Sequence, residues 1–149
     1  MNVVLYKDNP EILSRVSEPV TKFDKNLVNL VNDMFMVTKT HKGVGLAAIQ
    51  LGVPKRVLVI NHSAQGVRLA IINPEIIWEN PLQATGTEGC LSAPGEFVDI
   101  VRSVSVRIKY QNIQGKPVEI ELSGFSARIF LHEFDHLQGI MCITKKVVK

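Results

Sequence analysis

The stretch HEFDHLQG, residues 132–139, carries two histidines, a glutamate and an aspartate within five consecutive positions. Because each residue of an α-helix turns by about 100°, His132 and His136 share one face and lie one turn apart. Two imidazole nitrogens at that spacing can bind one divalent metal. Glu133 lies beside that face, where its carboxylate can accept a proton from a water molecule that the metal acidifies. The H-E-x-x-H pattern therefore predicts a helix with a hydrolytic metal site.

The residues before this stretch favour burial of the two histidines. Phe125, Ile129, His132 and His136 continue one stripe at helical spacing. An imidazole in an apolar setting needs a partner, and a metal is the simplest partner that two imidazoles can share. The alternative is an ordinary surface helix with Glu133 facing the solvent.

Two histidines do not complete a catalytic metal site, which usually has three protein ligands. No Asp, Glu or His follows His136. Cys142 stands where one zinc-protease pattern has its third histidine, and would make the protein an endopeptidase. The rival is Cys90 in EGCLS, residues 88–92, which we expect in a loop. Either cysteine can equally be a small buried thiol, and spacing alone does not choose between them.

Outside this helix the hydrophobic pattern predicts an α+β fold in one domain, residues 1–149, with an N-terminal helix and mostly antiparallel strands. The N-terminal helix is expected at 24–40, capped by Asp24 and followed by Gly43. Strands are expected at 56–60 and at 70–77, the second interrupted at 73–74. A hairpin with one buried and one exposed face is expected from the alternation at 104–110 and 118–122. The metal helix should begin at 123 or 124 and end before Gly139.

Composition excludes several functional classes. The net charge of +3 is small and spread along the chain, and aromatic residues do not alternate with basic ones, which argues against a nucleic-acid partner. No apolar run reaches the roughly 18 residues of a membrane-spanning helix, and no signal-peptide pattern opens the chain. We therefore expect a cytoplasmic protein without a membrane partner.

Three segments resemble the three signature motifs of the peptide deformylase family and occur in the order in which that family has them. They are GVGLAAIQ at 43–50, EGCLS at 88–92 and HEFDH at 132–136. Together with residues 72–75 and the late hairpin, the resemblance covers nearly the whole chain. It implies an enzyme that removes the formyl group from N-formylmethionine at the start of new bacterial or organellar polypeptides and releases formate. It also implies one divalent metal per chain, Fe(II) natively, with zinc, nickel or cobalt able to occupy the site.

The resemblance assigns the chemical roles to residues of these motifs. They are Cys90, His132 and His136 as metal ligands, Glu133 as general base and then acid, Gln50 and the backbone N–H of Leu91 as oxyanion donors, and Gly45 as a backbone partner of the peptide. One donor aimed at a developing oxyanion contributes roughly 3 kcal/mol. Gln50 offers such an N–H without adding charge, although a surface glutamine is the alternative.

The remaining predicted site residues belong to the methionine pocket and to the surroundings of the metal ligands. An apolar pocket for the methionine side chain is expected from Val44, Phe125, Ile129 and Phe130. Glu88, Arg102 and Asp135 are expected to orient the metal ligands through hydrogen bonds. The alternatives are plain core packing for the apolar residues and an exposed salt bridge for the charged ones.

The resemblance has two departures. Residues 141–149 leave room for at most one strand and a basic tail, whereas many members continue into another helix. We expect this to affect contact with the ribosome surface, a further candidate partner, and not the chemistry. The loop expected at 93–97 varies among relatives, so peptide preference beyond formylmethionine stays open. A protein that holds metal structurally, or that only binds nascent chains, is the non-enzymatic alternative.

Overall fold

The structure, a computed structural model that describes residues 2–145, is built from helices and mostly antiparallel strands. The basic tail predicted from the sequence lies largely outside the described residues. The helices are α1 (Pro10–Leu13), α2 (Lys25–Thr40) and α3 (Gly124–Leu137). The strands are β1 (Gly45–Ala47), β2 (Val57–His62), β3 (Val67–Glu79), β4 (Gln83–Cys90), β5 (Ala93–Ser103), β6 (Ser105–Gln111) and β7 (Pro117–Ser123). Short 3₁₀ turns span Ala48–Leu51, Ser63–Gln65 and Cys142–Thr144. The turn Cys142–Thr144 lies in the segment 141–149, for which the sequence allowed at most one strand.

Two separate sheets carry the strands. One has five strands in the order β1-β2-β3-β6-β7, and the other consists of β4 and β5 alone. Every pair of neighbouring strands is antiparallel. The α+β class with mostly antiparallel strands is therefore confirmed.

The central strands are buried on both faces, because a helix covers each side of the five-stranded sheet. Leu58 and Ile60 of β2 face a cluster that contains Phe130 of α3. Val57 and Val59 face the opposite cluster, which contains Met34 of α2. Alternate residues of one strand thus meet different helices, as the period of two along a strand requires. None of the helices within residues 2–145 is long and apolar enough to cross a membrane.

Helix α2 is the predicted N-terminal helix and begins as expected. The Asp24 carboxylate accepts a hydrogen bond from Leu27 N at 3.1 Å, which caps the first turn. It also ends at Thr40 as expected, and the residue with positive φ beyond that end is Lys42 (φ 55°). Gly43 N donates to Thr38 O at 2.8 Å and closes the helix end.

Helix α3 matches its predicted bounds. It begins at Gly124 and ends at Leu137, and Gly139 follows with φ 78°. The N–H of Ile140 donates to Asp135 O at 2.9 Å, a bond that this left-handed glycine makes possible. One detail of the apolar stripe is wrong, since the Phe125 side chain is 45% exposed at the start of the helix.

The β6–β7 hairpin has the two faces that the alternation predicted. Val106, Ile108 and Leu122 are buried, whereas Arg107 and Glu121 are exposed. Strand β3, by contrast, is longer than expected and runs through Asn73 and Pro74 with a shift in register after Ile72. Asn73 has φ 52°, and its side chain bonds both the N–H and the C=O of Val20, so a bulge absorbs the interruption.

The β4–β5 pair was not predicted. Cys90, expected in a loop, is the last residue of β4, and the loop expected at 93–97 belongs to β5. The β4 segment QATGTEGC holds two glycines and few β-branched residues, so its local preference for a strand is weak. The pair forms because β5 supplies ladder partners from Phe97 to Ser103.

Candidate metal centre

Three parts of the fold meet at one cleft. Helix α3 brings His132, Glu133 and His136 on its buried side. The end of β4 brings Cys90. The 3₁₀ turn after β1 brings Gln50, which is only 1% exposed, so the surface position considered from the sequence is wrong.

The two histidines and Cys90 converge. Their ligand atoms, one from each residue, all lie within 4.8 Å of one another. The Cys90 Sγ and His136 Nε2 atoms are 3.3 Å apart, and the two imidazole rings stand edge to face with centroids 5.1 Å apart. We call Cys90, His132 and His136 the trio. One thiol and two imidazoles are a donor set that fits a divalent transition metal.

Cys142 is not a member of the trio. It is buried in the turn that follows α3. Burial raises the pKa of its thiol to about 11, so it stays protonated at neutral pH. Because the sulfur that converges with the two imidazoles belongs to Cys90, Cys142 is the weaker of the two candidates.

The pKa values of the two imidazoles are shifted in opposite directions. Burial opposes charge on His132, but the Glu133 carboxylate, Cys90 and Glu88 together hold its pKa well above the usual value. Burial and the charge of His132 lower the pKa of His136 well below the usual value. The Nδ1 atom of His136 is buried and finds no hydrogen-bond partner within residues 2–145.

Glu133 is buried beside the trio and forms no ion pair with any other residue between 2 and 145. Burial raises the pKa of its carboxyl to about 7, although the charge of His132 opposes the rise. Its Oε1 atom also has no hydrogen-bond partner in the part of the chain that the structure describes. A carboxyl with a pKa near neutrality can take up a proton and release it again at the pH of the cell.

The charged residues predicted to orient the ligands form one buried network. Glu88 Oε1 lies 2.8 Å from His132 Nδ1. Arg102 donates to both oxygens of Glu88, at 2.8 Å each, and to Asp135 Oδ2 at 2.7 Å. The Arg102 and Glu88 side chains are only 3% and 5% exposed, so an exposed salt bridge is the wrong description. Hydrogen bonds from Arg102 and His132 outweigh burial and hold the pKa of Glu88 well below its usual range.

Gln50 is fixed at both ends of its amide. Its Oε1 accepts from Ala47 N at 3.0 Å. Its Nε2 donates to Ser92 Oγ at 3.1 Å and faces Cys90 Sγ at 3.3 Å. Ser92 was not singled out from the sequence, although it lies in the EGCLS segment next to Leu91. The amide N–H₂ is therefore aimed at the trio.

The cleft beside the trio has a volume of about 180 Å³. Its lining includes 43–45, Gln50, 87–91, Phe125, Arg128, Ile129, His132 and Glu133. Phe130 is fully buried in the core and is absent from this lining, so it was wrongly considered for the pocket. Gly45 has no room for a side chain, since a Cβ there would lie 2.7 Å from Glu133 Oε2. A Cβ on Gly43 would lie 3.2 Å from Leu91 Cδ1, so Leu91 packs over that glycine.

Arg128, like Ser92, is a residue of this region that the sequence did not reveal. It lies one turn before His132 and donates to Glu88 Oε2 at 2.7 Å. A charged residue within a helix is usually solvated, so composition gave no reason to select it. The signal was its spacing of four residues from His132, which puts both side chains on the same face.

Comparison with known proteins gives a consistent picture. A family model described as polypeptide deformylase matches residues 1–148. The chain is 45% identical over 134 residues to a peptide deformylase of Thermotoga maritima, covering 90% of this chain and 80% of that one. It is 42% identical over 139 residues to peptide deformylase 1 of Bacillus subtilis, covering 93% and 86%.

Solved structures agree with the sequence relatives. The crystal structure of peptide deformylase from Thermotoga maritima matches with a TM-score of 0.93 and 41% identity, covering 99% of this chain and 97% of that one. Peptide deformylase of Plasmodium falciparum in complex with an inhibitor matches with a TM-score of 0.89 and 40% identity, covering 98% and 89%.

Proposed function

The chain belongs to the peptide deformylase family, whose members remove the N-formyl group from nascent peptides, and we propose that it does so with one metal held by Cys90, His132 and His136. The observation that carries this proposal is the convergence of the trio, whose ligand atoms lie within 4.8 Å of one another. The donor set of one sulfur and two nitrogens supports a transition metal rather than magnesium or calcium, which prefer oxygen. We propose Fe(II) as the native metal, with zinc, nickel or cobalt as other occupants. When bound, the metal supplies positive charge that acidifies water and stabilises negative oxygen.

We assign proton transfer to Glu133. Hydrolysis adds a water oxygen to the formyl carbon and breaks the C–N bond, which yields formate and a free amine. The Glu133 carboxylate accepts the proton of the attacking water and delivers it to the departing nitrogen. Its pKa of about 7, raised by burial, suits a group that must do both in each turnover.

Gln50 and Leu91 are the proposed donors for the oxygen that becomes negative during the attack. The Gln50 amide is held by Ala47 N and Ser92 Oγ, so only its second N–H, which points toward Cys90 Sγ at 3.3 Å, has to turn to the oxygen. The backbone N–H of Leu91 follows directly after the ligand Cys90. Removing one such donor typically costs about 3 kcal/mol in the transition state.

The peptide is proposed to bind as an extended strand between two sheet edges. β1 pairs with β2 alone in its sheet, and β4 pairs only with β5. Both therefore present an edge, and Gly45 of β1 and 87–90 of β4 line the same cleft. Strand addition supplies backbone hydrogen bonds without selecting side chains. Val44, Ile129 and Phe125 are the proposed apolar contacts for the methionine side chain.

Two further assignments follow from the substrate. Formyl-methionyl nascent peptides are the partner, and we propose the cytoplasm as the place of reaction. Contact with the ribosome surface stays a prediction.

Formate release tests this function. The protein is loaded with Fe(II) under anaerobic conditions and incubated with formyl-Met-Ala, with Glu133→Ala as the matched control. We expect formate from the wild-type protein and a loss of roughly 10²–10⁴-fold in the variant, at equal metal content. No formate above the variant's background would reject the proposal. Release of free alanine in its place would favour the endopeptidase considered from the sequence.

A further inference from the structure

We propose that Arg128 is a positioning residue that fixes β4, with Cys90, against α3, with its two histidines, and thereby sets the affinity of the trio for metal. This inference rests on the proposed function only in that the trio binds metal. It assigns Arg128 no contact with substrate or with the reacting atoms.

The need for such a residue comes from the division of the trio between separate parts of the fold. Cys90 lies on the two-stranded sheet of β4 and β5, which shares no ladder with the five-stranded sheet. The two histidines lie on α3, which packs on the five-stranded sheet. Backbone hydrogen bonds of a sheet therefore do not fix the distance from the sulfur to the imidazoles. Side-chain contacts between α3 and the β4–β5 pair must do so.

Arg128 makes the most extensive of these contacts. Its Nη1 donates to Glu88 Oε2 at 2.7 Å and to Ile100 O at 3.0 Å. Its Nη2 donates to Ala84 O at 2.9 Å. One guanidinium on α3 thus bonds both β4 and β5. The planar fork of arginine suits several fixed acceptors, whereas a lysine ammonium is a single point of charge.

Glu88 connects this contact to the trio. Its carboxylate accepts four hydrogen bonds, from Arg102 twice, from Arg128 and from His132 Nδ1. Four bonds use the full acceptor capacity of a carboxylate. Arg102 divides its ion pairs between Glu88 and Asp135, whereas Arg128 pairs with the Glu88 carboxylate and bonds backbone carbonyls of β4 and β5. Glu88 lies two residues before Cys90 on the same strand, and a shift of its carboxylate moves both ligands.

Gly86 provides the surface on which the guanidinium lies. A Cβ at that position would stand 2.8 Å from both Cζ and Nε of Arg128. Gly86 shows no positive φ, so replacing it with alanine strains the Arg128 contact rather than the backbone. The two residues therefore offer independent ways to disturb one contact, one by removing the guanidinium and one by displacing it.

The test measures metal binding directly. The apparent Kd for Co²⁺ is determined by competition with a chelator for the wild type, Arg128→Met, Arg128→Lys and Gly86→Ala. Arg107→Met is the control, because Arg107 is an exposed arginine on β6 that is not among the residues lining the cleft. Loss of a group that orients metal ligands typically weakens metal affinity 10–100-fold. We expect a loss in that range for Arg128→Met, a smaller loss for Arg128→Lys and Gly86→Ala, and none for the control.

Unfolding curves of the metal-free variants identify those that fold. If Arg128→Met does not fold, Arg128→Lys and Gly86→Ala decide the matter, because each keeps the guanidinium or its charge. Wild-type Kd in any folded variant of Arg128 overturns the proposal. So does an increase in KM for formyl-Met-Ala at unchanged Kd, which would make Arg128 a substrate-binding residue. Because Kd needs no turnover, an inactive wild type would reject the proposed function and leave this result readable.

Discussion

Gly45 and Glu133 are packed closely together in the lining of the cleft. A Cβ on Gly45 would lie 2.7 Å from Glu133 Oε2 and 2.8 Å from Ile129 Cγ2. Such distances cannot exist, so a side chain at 45 must displace the carboxylate that we assign to proton transfer. The backbone of Gly45 has no positive φ, which leaves the collision as the physical consequence of a substitution.

The change Gly45→Ala should therefore impair turnover rather than folding. We expect kcat/KM to fall by about 10²-fold, the usual cost of misplacing a group by about 1 Å. Metal content should stay at the wild-type level, since the three atoms nearest to a Cβ at 45 belong to Glu133 and Ile129 and not to the trio. The matched variant is Gly43→Ala, whose Cβ would meet the flexible end of Leu91 at 3.2 Å and should cost less. Equal activity of Gly45→Ala and the wild type would contradict the inferred displacement of Glu133.

Single residues also show what the sequence could reveal. His132, Glu133 and His136 could be selected because the period of a helix fixes their relation over one turn. The choice between Cys90 and Cys142 could not be made from spacing, because it depends on where β4 ends in space. Arg128 escaped notice because burial of a charged side chain depends on acceptors from distant strands.

At the scale of elements, α3 depends on how it ends. Gly139 has φ 78°, and a Cβ there would lie 2.7 Å from the carbonyl carbon of Ser14. The left-handed conformation alone costs an L-residue about 1–2 kcal/mol. The packing of Ser14 against the turn adds a second penalty.

Gly139→Ala should thus lower the free energy of unfolding by more than about 2 kcal/mol, measured by urea denaturation of the metal-free protein. Gly66→Ala is the matched control, because Gly66 has φ 68° with open space around the position of a Cβ. It should lose only the conformational part, about 1–2 kcal/mol. The same loss in both variants would show that the contact with Ser14 has no energetic effect.

Elements with a regular pattern were predictable, and the others were not. Helix α2, helix α3 and the β6–β7 hairpin each repeat apolar residues at one period, so local sequence determines them. Strand β3 was shortened in prediction because Pro74 interrupts the pattern, yet the side chain of Asn73 bridges the bulge. Strand β4 has no such pattern and forms through its pairing with β5, which local sequence does not encode.

At the scale of the whole molecule, a buried charge network joins the β4–β5 pair to helix α3. Glu88, Arg102 and Asp135 link β4, β5 and α3 at distances of 2.7–2.8 Å. The pKa of Glu88 is lowered from its ordinary value of 4.5 because its ionised form has these partners. The folded state therefore releases this proton more readily than the unfolded state does. Its contribution to stability is present above pH 4.5 and is lost as the pH falls below that value.

Glu88→Gln should reproduce this loss at neutral pH. Removing one partner of a buried ion pair costs about 3–5 kcal/mol, so the metal-free variant should be less stable by that order at pH 7. Below pH 4.5 the difference from the wild type should shrink by up to about 1.4 kcal/mol per pH unit. Urea unfolding at a series of pH values measures it. A difference that stays constant down to low pH would exclude Glu88 as the titrating group.

The proposed activity requires that a thiolate from the end of β4 and two imidazoles of α3 coordinate the same metal ion. The direct measurement is the X-ray absorption spectrum at the metal K edge of the Co²⁺-loaded protein, compared between Cys90→Ser and Cys142→Ser. We predict one sulfur and two imidazole ligands in the wild type and in Cys142→Ser, and no sulfur in Cys90→Ser. A sulfur ligand that persists in Cys90→Ser and disappears in Cys142→Ser would contradict the account.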